Sequence, residues 1–328
     1  MDKTELLTSV HYHELDPGTD FVKDPEIAID LDNPLDSERI LTPNVIHLPS
    51  GGYRMYYTGL GPARRDPDAL GYILSAFSEN AVTWHKEPGV RVDLFPPNAS
   101  ARTLCPDVIP LKDGGYRMYF EARAGVPPAN QRFGAAPKPT TILSALSDDG
   151  LDWIPEAGIR FGKGNWSYGT PRVIYIEQAG GIAYRMYFHR YSFPFKAGLG
   201  VGNHIISALS DDGLNFEEEP GIRIAQETDR ETFSVYAPEI IRLRDGSYRM
   251  YYSGWSETIQ GGVFTATSKD GLNWKKVGEP IIDLEPGQRD SSMISEPCVI
   301  DLDEGGSRLF YECCDADNHY RILSATTI

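Results

Sequence analysis

The stretch GGYRMYYTG, Gly51–Gly59, is written five times in this chain of 328 residues. It returns as GGYRMYFEA from Gly114, IAYRMYFHR from Ile182, GSYRMYYSG from Gly246 and GGSRLFYEC from Gly305. Within it Tyr53, Met55 and Tyr57 share one face and Arg54 and Tyr56 the other, the period-two signature of a β-strand. From Tyr53 through Tyr116, Tyr184 and Tyr248 to Ser307 the steps are 63, 68, 64 and 59 residues. Self-similarity at a fixed period of this size signals a repeat architecture.

Each copy carries more than this strand. A proline-centred apolar segment precedes it: TPNVIHL from Thr42, CPDVIPL from Cys105, TPRVIYI from Thr170, APEIIRL from Ala237 and EPCVIDL from Glu296. A third motif follows in ILSALSDDGLDW from Ile142, IISALSDDGLNF from Ile205 and FTATSKDGLNW from Phe264, with YILSAFSENAVTW from Tyr72 as a variant. The Asp-Gly turn leads to a fourth segment containing GVR or GIR. No segment sustains a helical period, so each copy reads as four strands. Four-stranded antiparallel sheets repeated about an axis make a β-propeller, here all-β and five-bladed with long loops.

The last copy ends in RILSATTI, its third strand, with no Asp-Gly turn after it. The N-terminal DPGTDFVKDPEIAID, from Asp16, matches DDGLDWIPEAGIRFG, from Asp148. The expected arrangement is therefore a single domain over residues 1–328. Blades fall at about 38–93, 100–162, 166–225, 232–284 and 291–328, and residues 1–31 supply the strand that completes the last blade.

Composition bounds the partners. A net charge of -16 disfavours nucleic-acid phosphates and anionic lipid heads, and no stretch reaches 18 apolar residues. The four cysteines include the adjacent Cys313-Cys314 and show no zinc spacing. The N-terminus lacks the apolar core of a signal peptide, so a cytoplasmic protein with reduced thiols is expected. No metal or cofactor is expected, because the seven histidines show no ligand spacing.

Features present in every copy hold the scaffold. In SDDGLDW, Asp149 suits the turn amides, Gly150 a positive φ and Trp153 packing between sheets. Function belongs where the copies disagree. The residue after the inner proline is Asn44, Asp107, Arg172, Glu239 or Cys298, and the residue before it is Thr42, Cys105, Thr170, Ala237 or Glu296. Converging near an axis, these polar side chains are expected to line a pocket at one mouth. The ends of the YRMYY strands, with Glu121, His189, Arg190, Tyr191, Trp255 and Glu312, are expected at the same mouth, where Trp255 or Tyr191 can stack on a ring. The opposite reading is a sealed axis in which Asp107, Arg172 and Glu239 neutralise one another.

The proline-centred strands and the S-x-DG-x-x-W turns resemble the five-bladed propeller glycosidases of families 43 and 32. That resemblance implies a glycoside substrate and three axial carboxylates from the first three blades. Asp107 in CPDVI matches the second. Thr42 stands where the first acid would be, and the third, the Glu of an E-x-P pattern, is absent from GTPRV, with Arg172 nearby. Glu239 and Glu296, from the fourth and fifth copies, are the replacements.

The resulting expectation is a glycoside hydrolase-like enzyme with Asp107, Glu239 and Glu296 as catalytic acids, one protonated and one activating water or attacking. Asn44, Glu121, Arg172, His189, Arg190, Tyr236 and Trp255 would bind the substrate. Two alternatives stand beside it: a lyase, hydratase or cyclase on the same scaffold, and an inactive carbohydrate-binding propeller.

Overall fold

The structure is a computed structural model that describes residues 1–61, 71–124 and 138–327. Among these the regular secondary structure is almost wholly β-strand, with one short helix, Lys3–Leu7. The sheets are antiparallel and four strands wide. One contains Trp166–Gln178, Gly181–Ser192, His204–Ser210 and Glu217–Glu218 in chain order. Another contains Ser234–Leu243, Tyr248–Trp255, Val263–Ser268 and Lys275–Ile282, with Tyr12–His13 added in parallel on its inner edge. Two further groups of four, beginning at Arg39–His47 and Arg102–Pro110, are joined by a single parallel bridge between Gly71 and Arg102. In the last sheet Met293–Asp301, Ser307–Cys314 and Tyr320–Thr327 are followed by the N-terminal Phe21–Ile29, with Phe21 opposite Thr327 and Ile29 opposite Ile322. Ile328 lies outside the described residues.

Why YRMYY recurs is clear from its neighbours. Tyr53, Met55 and Tyr57 pack against Cys298 and Phe310 of the last sheet, whereas Tyr56 packs against Val108 and Met118 of the next. The strand is buried on both faces, so its arginine needs partners. Arg54 makes a bidentate pair with Glu87 and donates to the Asp149 carbonyl, while Tyr56 Oη donates to the Gly150 carbonyl at 2.9 Å. A Cβ at Gly150 would lie 2.6 Å from that hydroxyl, and φ is +75°, so the turn requires glycine.

The same staple runs onward from Tyr119 to Gly213, Tyr187 to Gly271 and Tyr251 to Gly18. It returns to the start where Arg308 donates to the Ala81 carbonyl. Here Phe310 replaces the tyrosine and Ala81, at φ 56°, replaces the glycine. The lost hydroxyl makes room for the methyl group. Edge-to-face ring pairs accompany each staple, including Tyr56–Trp153, Tyr251–Phe21 and Phe310–Trp84.

The fourth strand departs from the sequence reading. The ladder covers His85–Lys86, Ile154–Pro155 and Glu217–Glu218, just before the expected GVR and GIR segments. Those segments return only as single bridges, such as Ile73 with Val92. Pro88 has no amide proton and Gly89 turns at φ 88°, so the ladder breaks between them.

Candidate active site

All five inner strands break their register at the proline. The residue before it adopts a left-handed conformation in every case: Thr42 at φ 52°, Cys105 at 56°, Thr170 at 44°, Ala237 at 49° and Glu296 at 55°. Such a backbone is unfavourable for these residue types by of order 1 kcal/mol or more, and bulges of this kind redirect side chains. Two rings of side chains result.

The ring after the proline is structural. Asn44 Oδ1 accepts the Val108 amide, Asp107 Oδ2 accepts the Val173 amide and Glu239 Oε1 accepts the Val299 amide, so each side chain ties its strand to the next. Cys298 Sγ accepts the Val45 amide and joins the last strand to the first. Arg172 cannot accept. Its Nε donates to Glu239 Oε2 at 2.7 Å and its remaining nitrogens to the carbonyls of Pro43, Pro106 and Pro171.

An N-terminal residue seals the same level. His11 lies 3.0 Å from Asp107 and 3.5 Å from Glu239, and these carboxylates push its pKa up to about 9 against the opposing effect of burial. Glu239 is in turn held below the usual carboxylate range by His11 and Arg172, although burial acts the other way. Asp107, Arg172 and Glu239 are fully buried. The expectation that Asp107, Arg172 and Glu239 line an open pocket is corrected: they form a satisfied ion network across the axis, while Asn44, whose Nδ2 donates to Asp107 Oδ1 at 3.3 Å, also borders a cavity beside residues 8–13. The physical reason is the bulge, which sets the residue before the proline and the one after it at two different levels, so that the polar side chains after the proline meet one another.

At the level of the residues before the proline stand Glu296, Glu312 and Glu121. Glu296 is buried and accepts a hydrogen bond from Thr42 Oγ1. Burial and the neighbouring Glu312 push its carboxyl well above the usual range. Glu312 takes two hydrogen bonds from Arg39 and one from Ser295. Glu121 lies 3.7 Å from Cys105 Sγ and accepts from Tyr191 Oη at 3.3 Å; burial raises its pKa against the pull of nearby Arg123. Thr42 Oγ1 also reaches Cys105 Sγ at 3.3 Å, so Thr42 and Cys105 stand between Glu296 and Glu121.

His189 occupies the register of Glu121 in the next copy. Its Nδ1 is 2.6 Å from Thr170 Oγ1, and burial drives its pKa down to about 3, leaving a neutral imidazole. Gly169 is opposite it in the ladder. A Cβ there would lie 2.0 Å from Glu121 Oε2 and 2.9 Å from His189 Cε1, so the acid and the imidazole meet over a missing side chain. Tyr236 and Trp255 are close by, in ring contact with each other, and Tyr236 also touches His189. Arg190, by strand alternation, faces away from His189; it lies over Trp166 and 3.8 Å from Glu218.

Of the predicted residues, Glu296, Glu121, His189, Tyr236 and Trp255 therefore come together. Sequence reasoning placed Glu312 at a strand end of the same level without giving it a role, and it missed Arg39 and His11. Glu312 had a signal, since SRLFYE and YRMYFE place it in register with Glu121. At the opposite end of the axis lies a separate cavity of ≈ 620 Å³, between residues 8–13 and the strand ends at 44–49 and 299–301.

No family model matches the chain. It is similar to an uncharacterized protein of Mycobacterium tuberculosis (strain CDC 1551 / Oshkosh), at 31% identity over 140 residues, 41% of this chain and 43% of that one. It is also similar to the 1,2-beta-oligomannan phosphorylase of Thermoanaerobacter sp. (strain X514), at 31% over 91 residues, 27% of this chain and 29% of that one. The chain thus spans less than half the length of these curated relatives. Among solved structures, a glycoside hydrolase superposes with a TM-score of 0.74 at 15% identity, over 94% of this chain and 92% of that chain. A thermostable family-43 glycoside hydrolase superposes at 0.68 and 18%, over 92% and 90%. The chain has the fold of the propeller glycoside hydrolases of the family-43 type.

Proposed function

We propose that this chain is a five-bladed propeller enzyme that cleaves a glycoside at the mouth holding Glu296 and Glu121. The observation that carries the reading is the pair of buried carboxyls flanking Thr42 and Cys105, with unequal environments. Glu296 sits beside a second carboxyl and stays protonated, which suits a general acid that gives its proton to the leaving oxygen. Glu121 is raised without a like charge against it, and Arg123 favours its ionised form; it suits the base that takes a proton from water attacking the anomeric carbon. Glu312, tied to Arg39, keeps the Glu296 proton in place. His189, neutral, offers Nε2 as a hydrogen-bonding group for a substrate hydroxyl. The pairing of Phe21–Ile29 with Tyr320–Thr327 supports the five-blade count, since it supplies the last sheet with its fourth strand.

A second reading shares the site. The oligomannan phosphorylase relative and the arginines at this mouth, Arg39, Arg102 and Arg123, favour inorganic phosphate in place of water as the attacking group. One experiment addresses both: a panel of aryl glycosides and β-1,2-linked oligomannosides, assayed with and without phosphate, for the wild type, Glu296→Gln and Glu121→Gln. Both variants should fold and lose about 10² or more in rate. Phosphate dependence selects phosphorolysis. Full activity in both variants overturns the assignment.

A further inference from the structure

We propose that the aromatic wall on one side of this mouth binds an alkyl or aryl group of the ligand, not a second sugar. Six rings close on one another: His189, Tyr191, Phe195, Phe233, Trp255 and Tyr236. Tyr191 stacks on His189 with centroids 4.7 Å apart and reaches Phe195 at 6.3 Å. Phe195 lies on Phe233, and Phe233 on Trp255, each at 5.0 Å with planes 32° and 36° apart. Trp255 meets Tyr236, which returns to His189.

The arrangement selects the occupant. A sugar stacks its C–H face on an open ring face, but here the faces of Phe233 and its neighbours are turned onto each other. Such a wall presents ring edges and apolar surface. Phe195 and Phe233 carry no polar group to hold a hydroxyl. At its outer end Phe195 is 43% exposed, and Leu199 of the same loop is 52% exposed, so the apolar surface continues to the rim.

The inner end of the wall is polar. Tyr191 donates to Glu121, and Tyr236 lies close enough to Glu296 for the two to interact electrostatically. A molecule with an apolar tail along the wall therefore sets its polar head at the carboxyls. On the cleavage reading above, on which this assignment rests, the tail belongs to the leaving group. Glu296 protonates the glycosidic oxygen, the bond from that oxygen to the anomeric carbon breaks, and the apolar alcohol departs with the proton. Water supplies the new hydroxyl and gives its own proton to Glu121.

Titration calorimetry of the full chain tests the wall without knowing the sugar. The probes are hexyl, heptyl and octyl β-D-glucoside below their micelle concentrations, and the corresponding free alkanols. Each added methylene should tighten binding by about three- to fourfold in both series. Phe195→Ser with Phe233→Ser should flatten that dependence with an unchanged circular dichroism spectrum; if the pair fails to fold, the exposed Phe195→Ser alone should weaken it. Affinity independent of chain length overturns the proposal. So does a chain-length dependence that survives these substitutions, because the tail would then bind elsewhere. Wall-dependent binding with no turnover of any glycoside upholds the apolar site and removes only its link to cleavage.

Discussion

Replacing His11 by alanine tests whether the axis is held shut by charge. In the native chain His11 faces Asp107 and Glu239, with Arg172 the other cation of the group. Its pKa rises from 6.5 to about 9. A folded-state pKa raised above the unfolded value contributes stability that is fully present below pH ~6.5 and lost as pH rises through ~9. At 1.36 kcal/mol per unit the shift corresponds to about 3 kcal/mol. His11→Ala leaves two buried carboxylates with one guanidinium, and breaking a buried ion pair in this way costs about 3–5 kcal/mol. Urea titrations at several pH values read both quantities. The wild type should lose about 3 kcal/mol between pH 6.5 and 9.5, and His11→Ala should be weaker at pH 6.5 with that decline abolished. Adding Glu239→Gln to His11→Ala should restore part of the loss, because the uncompensated charge is then gone. A variant as stable as wild type, with the same alkaline decline, would refute the role given to His11.

Gly150→Ala should destabilise by about 1–3 kcal/mol through its positive φ and its clash with Tyr56; Tyr56→Phe should relieve part of that penalty, as Phe310 opposite Ala81 does naturally, and equal losses in the single and double variants would contradict the staple. Gly169→Ala should keep the fold yet reduce turnover by 10² or more, because its methyl group displaces Glu121; a crystal structure with Glu121 unmoved and full activity would count against the site. Removing residues 1–30 should expose the edge of Tyr320–Thr327 and cause aggregation on a sizing column, and a monomeric product with unchanged melting would show that the edge needs no cover.

Much of this was legible in one dimension. Alternation in YRMYY, the Ser-Asp-Asp-Gly turns and the proline-centred strands depend on near neighbours in the chain, so their chemistry is visible wherever they are written. Asp149 accepting the amides of Leu151 and Asp152 is local in this sense. The match of Asp16–Asp30 to the segment from Asp148 is also internal to the sequence, and it anticipated Phe21 in the place of Trp153.

The site was not legible in the same way. Asp107 and Glu296 are both carboxyls beside an inner-strand proline, and the sequence left open whether Asp107 lines the pocket with Glu296 or is neutralised by Arg172 on a sealed axis. Tertiary structure separates them through the bulge. Glu296, before its proline and left-handed, meets Thr42 and Glu312, so desolvation and like charge keep its proton on. Asp107, after its proline, turns into the axis, where it meets Arg172, His11 and the Val173 amide from segments distant in the chain. The protonation and access of a carboxyl depend on what surrounds it, and those neighbours are set only when the strands converge.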